Sequence, residues 1–120
     1  MSKLRERRID GEVRRALGEI FLTDLKDPRI SKMLGVTRVE ITPDLKYGKV
    51  YVSIYDTEEK IQATMEGLAQ AEGFIRSRLN DKVKLRRIPS LTFIHDKSIE
   101  YSVNISKLID QVNAGIDREE

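Results

Sequence analysis

The residues of this sequence that could perform acid–base or metal chemistry are one histidine and a few acids. His95 directly precedes Asp96, and a histidine oriented by a nearby carboxylate could act as a general base. Both fall in a strand-like segment, where neighbouring side chains point to opposite faces, so a packed or surface histidine is the better interpretation. Asp56, Glu58 and Glu59 could bind a hard cation, but acids at a helix start also stabilise its first turn.

The common catalytic signatures are absent from the sequence. It has no P-loop, no GxGxxG, no GxSxG nucleophile elbow and no HExxH zinc motif. The lack of cysteine excludes disulfides, thiolate metal sites and cysteine nucleophiles, and it suits a reducing cytoplasm. We therefore predict a protein that is not an enzyme and has no cofactor or metal of its own.

Positive charge is concentrated in two segments, although the net charge is only +2, from 22 Lys+Arg against 20 Asp+Glu. Residues 3–15 form the first segment, and residues 76–87, with Asp81 as their acid, form the second. Such clustering is what a phosphate-binding face requires, though it is also typical of solvated helix and loop surfaces. The bases are Lys3, Arg5, Arg7, Arg8, Arg14 and Arg15, then Arg76, Arg78, Lys82, Lys84, Arg86 and Arg87.

The first half of the chain predicts two helices and a hairpin. Apolar residues at three- and four-residue steps predict an amphipathic helix over roughly 3–24. Asp27-Pro28 resembles an N-cap with proline at the first helical position, which predicts a short helix over about 28–33, ended by Gly35. Period-two alternation on both sides of the turn at 43–46 then predicts a β-hairpin.

The second half predicts a helix over about 58–80 that is interrupted at Ala71-Glu72-Gly73. A third strand follows at 91–95. A last helix carries Ile105 to Ile116, before an acidic, frayed tail at 117–120. The charged N-terminus and the absence of any run of about 18 apolar residues predict neither a signal peptide nor a membrane anchor.

The element order predicts an α+β fold in one domain, residues 1–116. Strand two, a long helix and strand three form a crossover unit, which makes those strands parallel. With the hairpin on the other side, the sheet has three strands, is mixed, and has helices on one face. An RNA-recognition motif is excluded because it needs four strands and begins with one. The order helix, strand, strand, kinked helix, strand is that of a KH domain of type II, here with a C-terminal helix added.

The chain resembles the bacterial ribosome-binding factor A family over nearly its whole length. The resemblance rests on several short motifs that occur in the family's order in a chain of the right length. They are the basic first helix, Asp27-Pro28-Arg29-Ile30, Val36-Thr37-Arg38-Val39, Asp44-Leu45, Lys49 to Ser53, Ala71 to Arg76, Arg86 to Phe93, and Asp96-Lys97-Ser98.

This resemblance implies a KH-like fold with an Ala-x-Gly kink. It also implies binding to the small ribosomal subunit, assistance in late maturation of its 16S rRNA, and a GTPase assembly partner associated with release. We expect a cytoplasmic monomer with no membrane partner. The predicted RNA-binding residues are Lys3, Arg5, Arg7, Arg8, Ala71, Gly73, Arg76, Arg78, Lys82, Lys84, Arg86 and Arg87.

Several alternatives stay open at this point. The 71–73 segment could simply bend the helix, and Glu72 suits a phosphate clamp poorly. Tyr51 and Tyr55 could stack bases, although ordinary outer-face strand residues are the better interpretation. The chain could also be a general KH-type binder of single-stranded nucleic acid. A metal-dependent enzyme or a protein-interaction adaptor ranks last.

Overall fold

The structure is a computed structural model that describes the backbone of residues 3–97 and the side chains of residues 8–97. The predicted C-terminal helix, the tail at 117–120 and the side chains of Lys3, Arg5 and Arg7 lie outside the described residues. Helix α1 (Lys3–Glu19) continues into a π-helical turn (Ile20–Asp24). Strands β1 (Leu34–Ile41) and β2 (Tyr47–Ile54), helices α2 (Glu58–Gln70) and α3 (Glu72–Lys82), and strand β3 (Ser90–His95) follow.

The three strands form one mixed sheet in the order β1-β2-β3. Strands β1 and β2 are antiparallel, with a register shift between Val36 and Arg38, and β2 and β3 are parallel. The register places Ile41, Gly48 and Leu91 side by side, so the hairpin turn, the start of β2 and the start of β3 share one end of the sheet. The predicted sheet is therefore confirmed.

Period-two alternation in β2 divides the sheet into a buried and an open face. Val50, Val52 and Ile54 are buried, whereas Lys49 is exposed and Tyr51 is half-buried. The buried side chains join a core with the apolar stripes of the helices, as the 3.6-residue period requires. The helical members of this core include Val13, Leu17, Ile20, Ile61, Leu68, Ile75 and Leu79.

The predicted short helix at 28–33 is wrong, because this segment forms turns. Asp27 Oδ1 accepts the Arg29 N–H at 2.9 Å, and the Asp27 carbonyl accepts the Ile30 N–H at 3.0 Å. The Ser31 N–H then donates to Thr64 Oγ1, 2.9 Å away on α2. Side chains thus replace the hydrogen bonds that a helix would make. Gly35, the predicted end of that helix, lies inside β1.

Gly67 lets this turn segment pack closely on α2. A Cβ at Gly67 would lie 3.0 Å from Ile30 Cγ1, tighter than nine in ten real Cβ contacts. Ile30 is buried in the core. The helix-propensity cost of Gly67 is therefore offset by a close contact that alanine would disturb.

Candidate nucleic-acid interface

The break predicted inside the long helix is present and lies at Ala71. Its backbone has φ −91° and ψ 6°, between the end of α2 and the start of α3. The Ala71 N–H is shared between the carbonyls of Gly67 at 2.9 Å and Leu68 at 3.1 Å. The Ile75 N–H donates to the Ala71 carbonyl at 2.8 Å, so the helix resumes at once. The helix is therefore interrupted at a single residue, Ala71.

Gly73 lies on open surface just after this break. A Cβ added there would meet no heavy atom of the described residues within 4 Å, and the glycine has no positive φ. Neither packing nor backbone conformation within residues 3–97 therefore requires glycine at this position. The open backbone would let a phosphate approach closely.

Glu72 connects the break to the sheet. Its Oε2 accepts the backbone N–H of Leu91 at 2.9 Å, and it lies 3.7 Å from Arg76 Nε. Because β3 is an edge strand, this carboxylate satisfies an outward N–H that a neighbouring strand would otherwise bind. The residue that fits a phosphate clamp poorly therefore has a structural role.

Arg76 and Arg87 line one open groove of about 500 Å³, together with Lys46, Tyr47, Ile88 and Ser90. One terminal amino group of Arg76, Nη2, donates to the Ile88 carbonyl at 2.9 Å, which fixes the guanidinium at the groove wall. The residues that line it within the described part of the chain include no acid.

Lys84 and Arg86, in the loop between α3 and β3, line a second cavity of about 310 Å³. Arg8 of α1 lines the same cavity. The apolar wall includes Ile41 and Leu85, and Asp10 and Glu12 also contribute. Of Lys3, Arg5, Arg7 and Arg8, the N-terminal residues predicted to bind RNA, Arg8 alone has a described side chain, and it lines this cavity with Lys84 and Arg86.

Both depressions lie at the hairpin end of the sheet, where the loop between α3 and β3 separates them. We call their six cations the basic end. They are Arg8, Lys46, Arg76, Lys84, Arg86 and Arg87. Convergence of like charges on one surface is the arrangement that attracts a polyanion.

Arg78 and Lys82 point away from the basic end. One turn apart on α3, they reach acids at the ends of the π-helical turn and of α1: Arg78 Nε lies 3.7 Å from Asp24 Oδ2, and Lys82 Nζ lies 3.3 Å from Glu19 Oε1. The Arg78 guanidinium also lies 5.5 Å from the centre of the Phe74 ring. The predicted second basic segment is therefore divided, and part of its charge faces carboxylates.

The open face of the sheet carries an internal contact instead of a free aromatic platform. The Arg38 guanidinium lies 4.2 Å from the centre of the Tyr51 ring, and Arg38 also pairs with Glu40 at 3.3 Å. The Tyr51 side chain, through its contact with Arg38, raises the pKa of that guanidinium above its usual range. This supports the interpretation of Tyr51 as an ordinary outer-face residue.

Two of the acids considered for catalysis or metal binding, Asp56 and Asp96, have structural partners. Asp56 accepts the Ser31 hydroxyl at 2.8 Å and the Thr57 N–H at 2.8 Å, and these bonds lower its pKa. Asp96 accepts the Thr37 hydroxyl at 2.8 Å at the register shift of β1. Within residues 3–97, no group of three or more candidate ligands is placed to hold a metal ion. The helices described there are also too short or too polar to cross a membrane.

Lys46 and Tyr47 are the site residues that sequence reasoning missed. The sequence assigns Lys46 to the hairpin turn and Tyr47 to the flank of the second strand. The available signal was a lysine beside an aromatic residue at a strand start, a pattern that is common in turns without function. Their meeting with Arg76 and Arg87 depends on the parallel pairing of Tyr47 with Ser90.

Comparison with known proteins gives a consistent family match. The sequence model for ribosome-binding factor A matches residues 5–109. Ribosome-binding factor A of Lachnospira eligens is 46% identical over 111 residues, covering 92% of this chain and 85% of that protein. The Clostridium tetani protein of that name is 40% identical over 119 residues, covering 99% of this chain and 98% of its own length.

Solved structures agree with this match. The chain is similar to the crystal structure of ribosome-binding factor A from Thermus thermophilus, with TM-score 0.66, 29% identity, and coverage of 75% of this chain and 93% of that one. The solution structure of a Thermotoga maritima protein has a TM-score of 0.69 and 34% identity, with coverage of 81% of this chain and 92% of that one. A homology model of the Thermus thermophilus ribosome-binding factor A was fitted into the cryo-EM map of its complex with the 30S subunit. Its TM-score is 0.61 at 31% identity, with coverage of 73% of this chain and 91% of that one. The predicted α+β, KH-like fold is confirmed.

Proposed function

The chain belongs to the ribosome-binding factor A family, and from this premise we propose that it binds the free small ribosomal subunit as a non-enzymatic assembly factor. Its role there is to assist late maturation of the 16S rRNA. The observation that carries the proposal is the similarity, at 31% identity, to a relative fitted into the map of a 30S complex. The basic end supplies the contact surface, since RNA is recognised first through its phosphates.

The geometry of the basic end suits irregular RNA more than a regular duplex. Its six cations lie around two separate depressions on either side of one loop, instead of along a straight ridge. A folded rRNA junction presents phosphates in several directions, so depressions of this kind can engage more than one strand. Gly73 adds open backbone near Arg76, where a phosphate could approach.

The remaining features of the proposal follow from the family. The protein acts in the cytoplasm as a monomer without a cofactor, and a GTPase assembly partner is associated with its release. Each feature is open to direct measurement, by gel filtration for the monomer and by GTP-dependent release from purified subunits for the partner.

Co-sedimentation with separated ribosomal subunits, at low and high salt, tests the central claim. We expect the protein to travel with small subunits alone and to leave them as salt rises, since phosphate contacts release counterions. Equal distribution over both subunits, or none with either, would contradict the proposal. Competition with unrelated single-stranded RNA and DNA separates it from a general KH-type binder, which would be displaced equally by both.

A further inference from the structure

The groove beside Arg76 combines three cations with an exposed aromatic ring. Lys46, Arg76 and Arg87 supply the charge, and the Tyr47 side chain in the same groove is 63% exposed. Proteins that bind single-stranded nucleic acid combine these two elements, a positive groove for the backbone and an aromatic ring for the bases. The basic end therefore contains a more specific feature than charge.

The Arg76 guanidinium is held in place before any ligand arrives. Its hydrogen bond to the Ile88 carbonyl measures 2.9 Å, and its Nε lies 3.7 Å from Glu72 Oε2. A guanidinium has five N–H donors, so these anchors leave others for a phosphate. A side chain that is already ordered loses less conformational entropy on binding.

Two acids lie near these cations: Glu72 is paired with Arg76, and Asp44 is held by the hairpin turn. Asp44 Oδ1 accepts the Thr42 hydroxyl at 2.7 Å and the Lys46 N–H at 3.0 Å. These bonds, and to a smaller degree the charges of Lys46 and Arg87, lower the pKa of Asp44. Neither Asp44 nor Glu72 is among the residues that line the groove, so its lining keeps three cations and no acid.

We propose that this groove binds one unpaired nucleotide of the RNA, with its base stacked on Tyr47 and its phosphate held by Lys46, Arg76 and Arg87. The proposal rests on the proposed function in one respect, that the partner is RNA. Bases inside an A-form helix already stack on their neighbours and are not available to a protein ring. An exposed tyrosine beside phosphate-binding cations therefore selects a nucleotide from a loop, bulge or end.

The first test is titration of the full chain with a labelled single-stranded RNA of about six nucleotides and with a fully paired RNA. Tyr47→Ala should weaken single-strand binding roughly 5- to 150-fold, and Tyr47→Phe should preserve it, since stacking needs the ring alone. Tyr55→Ala is the matched control, because Tyr55 is an exposed tyrosine, 44% accessible, just beyond the other end of β2. Unchanged binding by Tyr47→Ala, or an equal loss in Tyr55→Ala, would overturn the proposal.

The second test measures the phosphate contact through salt dependence. For a single strand, the slope of log affinity against log salt changes by about 0.7 for each neutralised phosphate. Lys46→Gln with Arg87→Gln should therefore reduce the slope by up to about 0.7, because the groove holds one phosphate. An unchanged slope would remove the phosphate from this groove.

The two proposals fail in distinguishable ways. If the wild type travels with small subunits but Tyr47→Ala binds the oligonucleotide normally, the nucleotide site is wrong and the assembly function stands. If the wild type does not bind subunits, the assembly function is wrong, and the oligonucleotide titrations still decide the groove.

Discussion

Glu72 Oε2 accepts the backbone N–H of Leu91 at 2.9 Å, across 19 residues of chain, and so ties the break between α2 and α3 to the start of β3. The contact lies between the two surfaces that the proposed function uses, the open backbone at Gly73 and the groove beside Ser90. A hydrogen bond from a partly buried N–H to a charged carboxylate is stronger than one between neutral groups. The shape of the basic end therefore depends on a residue that itself carries no positive charge.

Glu72→Ala should lower the free energy of unfolding by about 1–3 kcal/mol, because it leaves the partly buried Leu91 N–H without its acceptor. Glu72→Gln keeps a neutral oxygen acceptor, so its free energy of unfolding should fall less than that of Glu72→Ala. Urea unfolding followed by circular dichroism measures both variants. Equal stability of Glu72→Ala and the wild type would show that water replaces the carboxylate without cost.

Two glycines in one helical region should respond in opposite ways to alanine. Gly73→Ala should raise the free energy of unfolding by up to about 1 kcal/mol. The new methyl group meets no other atom of the described residues, so the higher helix propensity of alanine is the main effect. Gly67→Ala should gain nothing or lose stability, because its Cβ would lie 3.0 Å from Ile30 Cγ1. Thermal unfolding compares the two directly. A more stable Gly67→Ala would mean that Ile30 moves aside easily.

The Gly73→Ala variant also tests RNA contact at the break. If phosphate approaches the backbone there, this stabilised variant should bind small subunits more weakly than the wild type does. Subunit co-sedimentation at fixed salt provides the measurement. Unchanged binding would leave the Ala71–Gly73 segment with a structural role in the helix direction alone.

Two matched pairs of cations should differ in their effect on RNA binding. Lys84→Gln with Arg86→Gln removes charge from the basic end, and the slope of log affinity against log salt should fall by up to about 1.4–1.8. Arg78→Gln with Lys82→Gln removes one arginine and one lysine that already face Asp24 and Glu19, so its effect should be smaller.

Filter binding to small subunits at several salt concentrations provides the slopes for both double variants. An equal or larger change in Arg78→Gln with Lys82→Gln would restore these two residues to the RNA contact set that the sequence predicted. The basic end would then extend around α3.

Asp27 should make folding stability depend on acid pH. Its hydrogen bonds to the Arg29 side chain, and then to the Arg29 N–H, lower its pKa from 3.8 to about 2. A lowered folded-state pKa contributes stability that is complete above the unfolded value and is lost as pH falls from about 4 to about 2. The stability difference between the wild type and Asp27→Asn should shrink over that range. A constant difference in urea unfolding across it would contradict the linkage.

Much of the fold was decided by local pattern and could be predicted. Period-two alternation defined the hairpin, because each strand buries one face, and the helix between β2 and β3 required a parallel pair. The interruption at Ala71 was visible because glycine and a polar residue broke an otherwise regular stripe. The family resemblance followed from motifs along the chain, and the family match confirms it.

The turn at 27–33 could not be predicted, because some of the hydrogen bonds that hold it join residues distant in sequence. Ser31 bonds to Thr64 and Asp56, which are 33 and 25 residues away. Local signals at Asp27 and Pro28 were those of a helix start, and nothing nearby in the chain opposed them. Tertiary contacts therefore overrode the local capping preference.

The candidate site was determined in part by the sequence and in part by the tertiary structure. The sequence by itself determined that positive charge gathers at 3–15 and 76–87 and that the helix breaks beside the second segment. Only the tertiary structure decided that Arg76 and Arg87 meet Lys46 and Tyr47, while Arg78 turns toward Asp24. The physical reason is that the clustering of charged residues can be read along the chain. The direction in which each side chain points depends on its position around the helix and on strand pairing between distant residues.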